Sequence, residues 1–179
     1  SGGQGASGAD VGSTYATIFV KEADGTESGN LSVTITSGNS AVGAMVRYTK
    51  GAGKNWNLAC TNGSDNSGNS TSWSVTGAAD PGLITDDIIV VVSAINTDAY
   101  TFASHALTST GVTFSSDTER YDDGTTSGQD CKLVGTQHVV SGGTSSAAPV
   151  FTMTASGSAA NRPAGASSFL RIRQVDQPI

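Results

Sequence analysis

Charged residues, histidine and cysteine are all scarce in this sequence of 179 residues. Only 13% of the residues are charged, and histidine and cysteine occur twice each. Cys60 and Cys131 are too few for a zinc site, which takes about four ligands. They can form a disulfide or stay reduced, and we expect reduced, buried thiols. His105 and His138 lie in no nucleophile motif such as G-x-S-x-G, so we expect no catalytic residue, no metal and no cofactor.

Basic residues are scarcer than acidic ones. Nine Lys and Arg against fifteen Asp and Glu give a formal net charge of −6. Duplex binding requires a concentrated basic face, and adhesion to anionic lipid also depends on basic clusters. No apolar run approaches the roughly 18 residues of a membrane-spanning helix. We therefore expect neither a nucleic acid nor a membrane as a partner.

Glycine, serine and threonine are abundant instead. Thr, Val and Ile in short runs between Gly, Asn, Asp and Ser favour strands and tight turns. The predicted strands are YATIFV (15–20), LSVTIT (31–36), VGAMVRY (42–48), WSV (73–75), DDIIVVVSAIN (86–96), GVTF (111–114), CKLVG (131–135), HVV (138–140), VFTMTA (150–155) and FLRIR (169–173). This spacing predicts an all-β domain over residues 15–175, an antiparallel β-sandwich or jelly roll with at most one short helix.

One predicted strand differs from the others because it does not alternate. Residues 88–92 are an unbroken apolar run, IIVVV. Such a run is typical of a central strand covered on both faces, or of a strand at a subunit contact. We expect it to be the most buried strand of the domain.

Two segments of the chain resemble each other. GTESGNLSVTITSGNSAVGAMVRY (25–48) and GGTSSAAPVFTMTASGSAANRPAGASSFLRIR (142–173) both read as strand, turn and second strand. A duplicated hairpin would build two similar edges of a sandwich, and chance self-similarity of Gly/Ser/Thr-rich sequence is the alternative. The second strands carry Arg47 in one copy and Arg171 and Arg173 in the other, which we expect to face outward and to be candidate interface residues.

The first 14 residues are rich in Gly, Ser and Ala and predict a flexible N-terminal arm. The arm contains a G-x-G-x-x-G pattern, but no strand precedes it, so it is not a dinucleotide fingerprint. Ordering such a segment costs about 1–2 kcal/mol per residue in backbone entropy. We expect it to dock on a neighbouring subunit, with Gly2, Gly3, Gln4 and Gly5 in the contact. Residues 176–179 are the expected C-terminal tail.

Two polar stretches have the residue types of a functional site, but we expect both to be solvated loops. NGSDNSGNS (62–70) is rich in oxygen ligands, but it lacks the spaced acids and final Glu of an EF-hand. Glu119, Asp122, Asp123 and Asp130 cluster around TERYDDGTTSGQD (118–130), where we expect an acidic loop rather than the paired carboxyls of a glycosidase cleft.

The stretches ADGTESGNLSVTITSGNSAVGAMVRY (23–48) and LITDDIIVVVSAIN (83–96), continuing to GASSFLRIR (165–173), resemble a broad group of bacteriophage virion proteins. These proteins carry β-sandwich or jelly-roll modules in tails, fibres and capsid surfaces. The resemblance covers most of residues 15–175 and transfers no catalytic residue. It implies a virion structural protein, foremost a capsid decoration (cement) protein. Its implied partners are further copies of the chain and the major capsid or tail protein.

Other functions remain open at this point. A tail or fibre component is one alternative. A carbohydrate-binding module for host recognition is another, and its candidate sugar contacts are Trp56 and Tyr48, provided that their rings are exposed and co-planar. A secreted hydrolase would require a convergent Ser-His-Asp set at His105 or His138.

Overall fold

The computed structural model describes residues 2–4, 12–34, 41–65, 72–96, 101–115, 117–124, 131–156 and 165–177. These residues form strands joined by turns and contain no helix, which confirms the all-β prediction. The strands are β1 (Gly2–Gln4), β2 (Gly12–Thr14), β3 (Lys54–Asp65), β4 (Ser72–Thr76), β5 (Ile88–Ile95), β6 (Thr101–Thr108), β7 (Val112–Phe114), β8 (Thr118–Gly124), β9 (Lys132–Gly143), β10 (Val150–Ser156) and β11 (Gly165–Asp176).

Nine of these strands form two antiparallel sheets that pack against each other, as the sandwich prediction requires. Strands β1 and β2 form a separate two-stranded sheet. One sheet has the order β3-β11-β5-β9-β7, with β8 also paired to β9. The other has the order β4-β10-β6. We call the side of the six-stranded sheet that faces away from the three-stranded sheet its outer face.

The hydrophobic core lies between the two sheets. Alternate residues of each strand point into it, because side chains in a strand alternate between its faces. The three-stranded sheet contributes Trp73, Val75, Phe102, Leu107, Phe151, Met153 and Ala155, and the six-stranded sheet contributes Ile89, Val91, Ile95, Val134, Val140 and Phe169. Together these side chains fix which face of every strand is polar.

Strand β5 is the central strand that the apolar run predicts. It pairs with β11 on one side and β9 on the other. Ile89 and Val91 point into the core and are 0% and 1% exposed, while Val90 points to the outer face and is still only 5% exposed. The outer face is therefore covered at this position, and the prediction of a strand buried on both faces is confirmed.

Strand β6 departs from simple alternation. Phe102 and Leu107 are both buried in the core although they are an odd number of residues apart. Ser104 has a left-handed backbone with φ 55, and the register with β10 shifts between Thr152 and Thr154. An extra residue at a β-bulge reverses the alternation, so that both apolar side chains reach the same core.

The first three predicted strands are wrong over the residues that the structure describes. Residues 15–34 and 41–53 form no strand. Alternation alone does not make a strand, because a strand also needs a neighbouring strand for its backbone groups. The hairpin interpretation of the second copy is wrong too, since β10 and β11 belong to different sheets.

The segments at the two ends of the chain differ from the expected arm and tail. Within the N-terminal arm, β1 pairs with β2, and both lie beside β11 of the same chain. Gly5 falls outside the described residues, and docking of the arm on a neighbour stays a prediction. At the other end, Asp176 is the last residue of β11 and pairs with Lys54 rather than starting a tail.

Candidate functional surfaces

The most unusual surface belongs to residues 15–53, which we call the extended segment and which the structure describes over 15–34 and 41–53. It precedes the first sandwich strand and forms no strand in those ranges. Large apolar side chains along it are exposed to solvent, among them Phe19 at 80% and Met45 at 82%. In the described parts of the segment these side chains are Tyr15, Phe19, Val20, Leu31, Val33, Met45 and Val46. So many exposed large apolar side chains in one segment favour an interaction surface.

Local polar contacts give the extended segment a defined shape. Asp24 accepts hydrogen bonds from the backbone N–H and the hydroxyl of Thr26, at 2.9 and 2.6 Å. Glu27 accepts from the backbone N–H groups of residues 24 and 25 and pairs with Lys21 at 2.8 Å. The hydrogen bond and ion pair with Lys21 lower the pKa of Glu27 to about 2. A turn with this many local bonds holds its apolar neighbours in fixed directions.

Two hydrogen bonds fasten the end of the extended segment to the outer face. The hydroxyl of Tyr48 donates to Gln137 Oε1 on β9 at 3.0 Å, and the N–H of Gly51 donates to Gln174 Oε1 on β11 at 2.6 Å. An ion pair between Lys50 and Glu22 ties the two described parts of the segment together. The segment therefore crosses the sheet from β9 to β11 over β5.

The two candidate sugar contacts lie on different elements of the fold. Tyr48 is half-buried above β9, and its hydroxyl is used by Gln137. Burial raises the pKa of Tyr48. Trp56 lies on β3, which is separated from β9 by β11 and β5, or about 14 Å at the usual strand spacing. A shared sugar-binding platform of these two rings stays a prediction.

Arg171 and Arg173 point inward, so the expectation of an outward face is wrong for both. Arg173 donates to both carboxylate oxygens of Asp87, at 2.7 and 2.6 Å, and Asp87 is fully buried. Arg171 is 8% exposed and donates to Asn57 and to the carbonyl of Pro81. Burial lowers the pKa of Arg171, whereas the hydrogen bond to Asp87 raises that of Arg173.

These two arginines hold the loop before β5 against the sheet. Such a cluster stabilises the sandwich from within. Arg47 is different, because it is exposed on the extended segment. Contact of these arginines with a partner stays a prediction. The exposed position of Arg47 fits it better than the inward positions of Arg171 and Arg173.

A second polar cluster surrounds the histidines, and no motif in the sequence predicts that they lie close together. Nδ1 of His105 on β6 is 3.7 Å from Asp117 Oδ2 and 3.6 Å from Glu119 Oε2. Its ring stacks on Phe151, with 6.1 Å between centroids, and His138 meets the same phenylalanine edge-on at 6.2 Å. The two histidines, these carboxylates and Phe151 therefore form one cluster between the two sheets.

A cleft of about 610 Å³ opens beside the histidines. Its wall combines apolar side chains, such as Leu107 and Phe114, with His105, Asp117 and His138. The Thr136 hydroxyl lies 3.0 Å from His138 Nε2, and both residues are buried. Among the described residues neither histidine bonds a serine, and the hydrolase alternative gains no support.

The acidic stretch near residue 120 is a strand and not a solvated loop. Glu119, Asp122 and Asp123 all lie on β8, and Asp122 pairs with Lys132 at 2.8 Å. Asp130 lies outside the described residues. The Asn-rich stretch after residue 61 is likewise part of β3 as far as Asp65. Both stretches gain strand neighbours that a local pattern does not contain.

The two cysteines do not form a disulfide with each other. Cys60 lies on β3 and Cys131 directly precedes β9, and two strands, β11 and β5, lie between β3 and β9 in the sheet. The expectation of buried thiols is wrong for Cys60, which is exposed at its strand edge, while Cys131 is half-buried. Partial burial raises the pKa of the Cys60 thiol.

Comparison with known proteins yields no relative: no protein-family model, no curated protein and no solved structure matches the chain. No helix that could cross a membrane occurs in the part of the chain that the structure describes. The same residues contain no group of three or more side chains arranged to hold a metal ion. Function is therefore inferred from the surfaces of the chain itself.

Proposed function

We propose that this chain is a structural subunit of a bacteriophage virion, most simply a decoration protein that stabilises the capsid surface. The observation that carries the proposal is the extended segment. It is fastened to the sandwich through Tyr48 and Gly51, yet it turns large apolar side chains to solvent. A subunit that functions by surface contact needs such a segment.

The size of this apolar surface supports an assembly function. Seven large apolar side chains, each at least one-third exposed, lie on the extended segment. Their exposed surface sums to roughly 800 Å², about what one partner contributes to a standard protein interface. On a particle the same contact is repeated by symmetry, so individually weak contacts add up through effective concentration.

The test is the location of the chain on particles. Virions from the source culture are banded in a density gradient, and the chain is detected by mass spectrometry and by immunogold labelling. The proposal expects the chain in the particle band in many copies, with gold distributed over the shell. Gold confined to the tail or fibres would assign the chain to the tail instead. Absence of the chain from purified particles would refute a virion function.

A truncation then tests the N-terminal arm as a separate element. A chain lacking residues 1–14 should fold, because the sandwich strands begin at Lys54. It should lose occupancy on particles if the arm docks on a neighbour. Full occupancy of the truncated chain would show that the arm is not needed and would leave the extended segment as the contact.

A further inference from the structure

We infer that two copies of this chain associate through their extended segments, each laying its apolar surface against the same surface of the other. The inference rests on the proposed function in taking the chain as an assembly subunit, and it names the partner and the surface. An isologous contact of this kind has two-fold symmetry and closes after two copies.

The apolar residues of the extended segment are placed for such a contact. Phe19, Leu31 and Met45 are each more than three-quarters exposed, although they are spread over more than 25 positions. The ion pair between Lys50 and Glu22 joins the two described parts of the segment. The ion pair therefore holds the parts of the segment that carry Phe19 and Met45 together near residues 22 and 50.

Fastening to the sandwich makes this surface competent for docking. The bonds from Tyr48 to Gln137 and from Gly51 to Gln174 fix one end of the segment on the outer face. A segment that is already held loses less conformational freedom on binding than a free one. The area of about 800 Å² per copy would bury about 1,600 Å² in a dimer, the size of a standard specific interface.

The charge distribution indicates a second copy rather than a charged partner. The extended segment has three basic residues, Lys21, Arg47 and Lys50, and three acidic ones, so its net charge is zero. Residues 54–179 contain six basic and eleven acidic residues, a net charge of −5. Two acidic sandwiches repel each other, and the neutral segment is the surface through which identical copies can approach. A basic partner would instead be held by the acidic sandwich.

Sedimentation equilibrium of the full chain tests the inference. The wild type should form a dimer reversibly. Phe19→Ser/Leu31→Ser/Met45→Ser should raise the dissociation constant on the order of a hundredfold or more, since each replacement removes a large apolar side chain from the contact. The matched control is Ile84→Ser, which removes an apolar side chain that is also exposed (39%) but lies outside the segment. Near-UV circular dichroism of each variant confirms that the sandwich is intact.

Salt separates this contact from an electrostatic one. Raising the ionic strength should strengthen the dimer, because salt screens the repulsion between the acidic sandwiches while leaving apolar burial in place. A dimer that dissociates in salt would overturn the inference. So would a wild type that stays monomeric at every concentration, a triple variant that dimerises like the wild type, or a control that is weakened equally.

The outcomes also separate this inference from the proposed function. A monomeric chain that is nevertheless found in many copies on particles would refute the dimer and keep the virion function. A dimer that never occurs on particles would keep the contact and refute the virion function.

Discussion

Protonation of His138 should be coupled to unfolding of the sandwich. The side chain is buried at 2% exposure. Its ring lies edge-on to Phe114 and Phe151, at 6.1 and 6.2 Å between centroids. Burial, opposed by the carboxylate of Asp117 and assisted by the nearby His105, lowers its pKa to about 4. The neutral imidazole is therefore the form that the folded chain accepts.

The sign and the size of the effect follow from this pKa. The unfolded chain has a histidine pKa of about 6.5 and binds a proton first as the pH falls, so acid favours unfolding. The contribution of a neutral His138 to stability is complete above about pH 6.5 and is lost as the pH falls toward the folded pKa of about 4. Over that window the free energy of unfolding should decrease by about 3 kcal/mol on account of this one group.

Urea unfolding between pH 4 and pH 7.5 measures the effect. The wild type is compared with His138→Gln, which keeps a hydrogen-bonding side chain for Thr136 but does not titrate, and with His105→Gln as the matched control. The stability advantage of the wild type over His138→Gln should shrink as the pH falls, because groups common to both chains cancel. An NMR titration of the imidazole should show a midpoint near 4. A midpoint near 6.5, or the same pH dependence in both chains, would refute the reasoning.

Three further substitutions test the packing by chemical denaturation. Val90→Asp should abolish soluble folded protein, since it places an unpaired carboxylate at a buried position of the central strand; a stable, soluble variant would show that the outer face is open. Arg173→Ala should destabilise the fold by about 3–5 kcal/mol, because it leaves the buried carboxylate of Asp87 without its arginine. A destabilisation below about 1 kcal/mol, which is typical of exposed ion pairs, would contradict a buried pair. Gly135→Ala should lower the free energy of unfolding by about 1–3 kcal/mol, because the added Cβ would lie 2.2 Å from the ring of Tyr121. Displacement of the ring should also lower the pKa of Tyr121 from about 12, which an absorbance titration measures. An unchanged pKa would mean that the ring does not rest on residue 135.

The sequence predicts strands best where the side chains that point into the core are large and apolar. In β5 and β10 the core-facing side chains are Ile, Val, Phe and Met, so the pattern reveals the strand. The pattern does not predict strand β3, because its inward positions are Asn57, Ala59, Thr61 and Gly63. The first two lie opposite the buried arginines of β11. At Gly63 a Cβ would lie 2.1 Å from the carbonyl oxygen of Thr76, so the backbone leaves no room for an apolar side chain.

The candidate surfaces were harder to predict than the sandwich. Residues 15–20 and 31–34 alternate like strands, but pairing depends on which neighbour the fold supplies, and a local pattern does not contain that information. His105, Asp117 and Glu119 come together only because the bulge at Ser104 sets the side-chain directions of β6 and because β8 pairs with β9. The inward direction of Arg171 follows from the register with β5, which alternation alone does not fix.

Hydrogen exchange of the extended segment as a function of protein concentration tests the central claim most directly. In the single chain, the amides of residues 15–34 belong to no strand and should exchange rapidly. When the concentration is raised from about 1 µM to about 1 mM, association should slow their exchange, while the amides of β5 should remain protected throughout and serve as the internal control. Exchange in residues 15–34 that stays fast and independent of concentration over this range would contradict assembly through the extended segment.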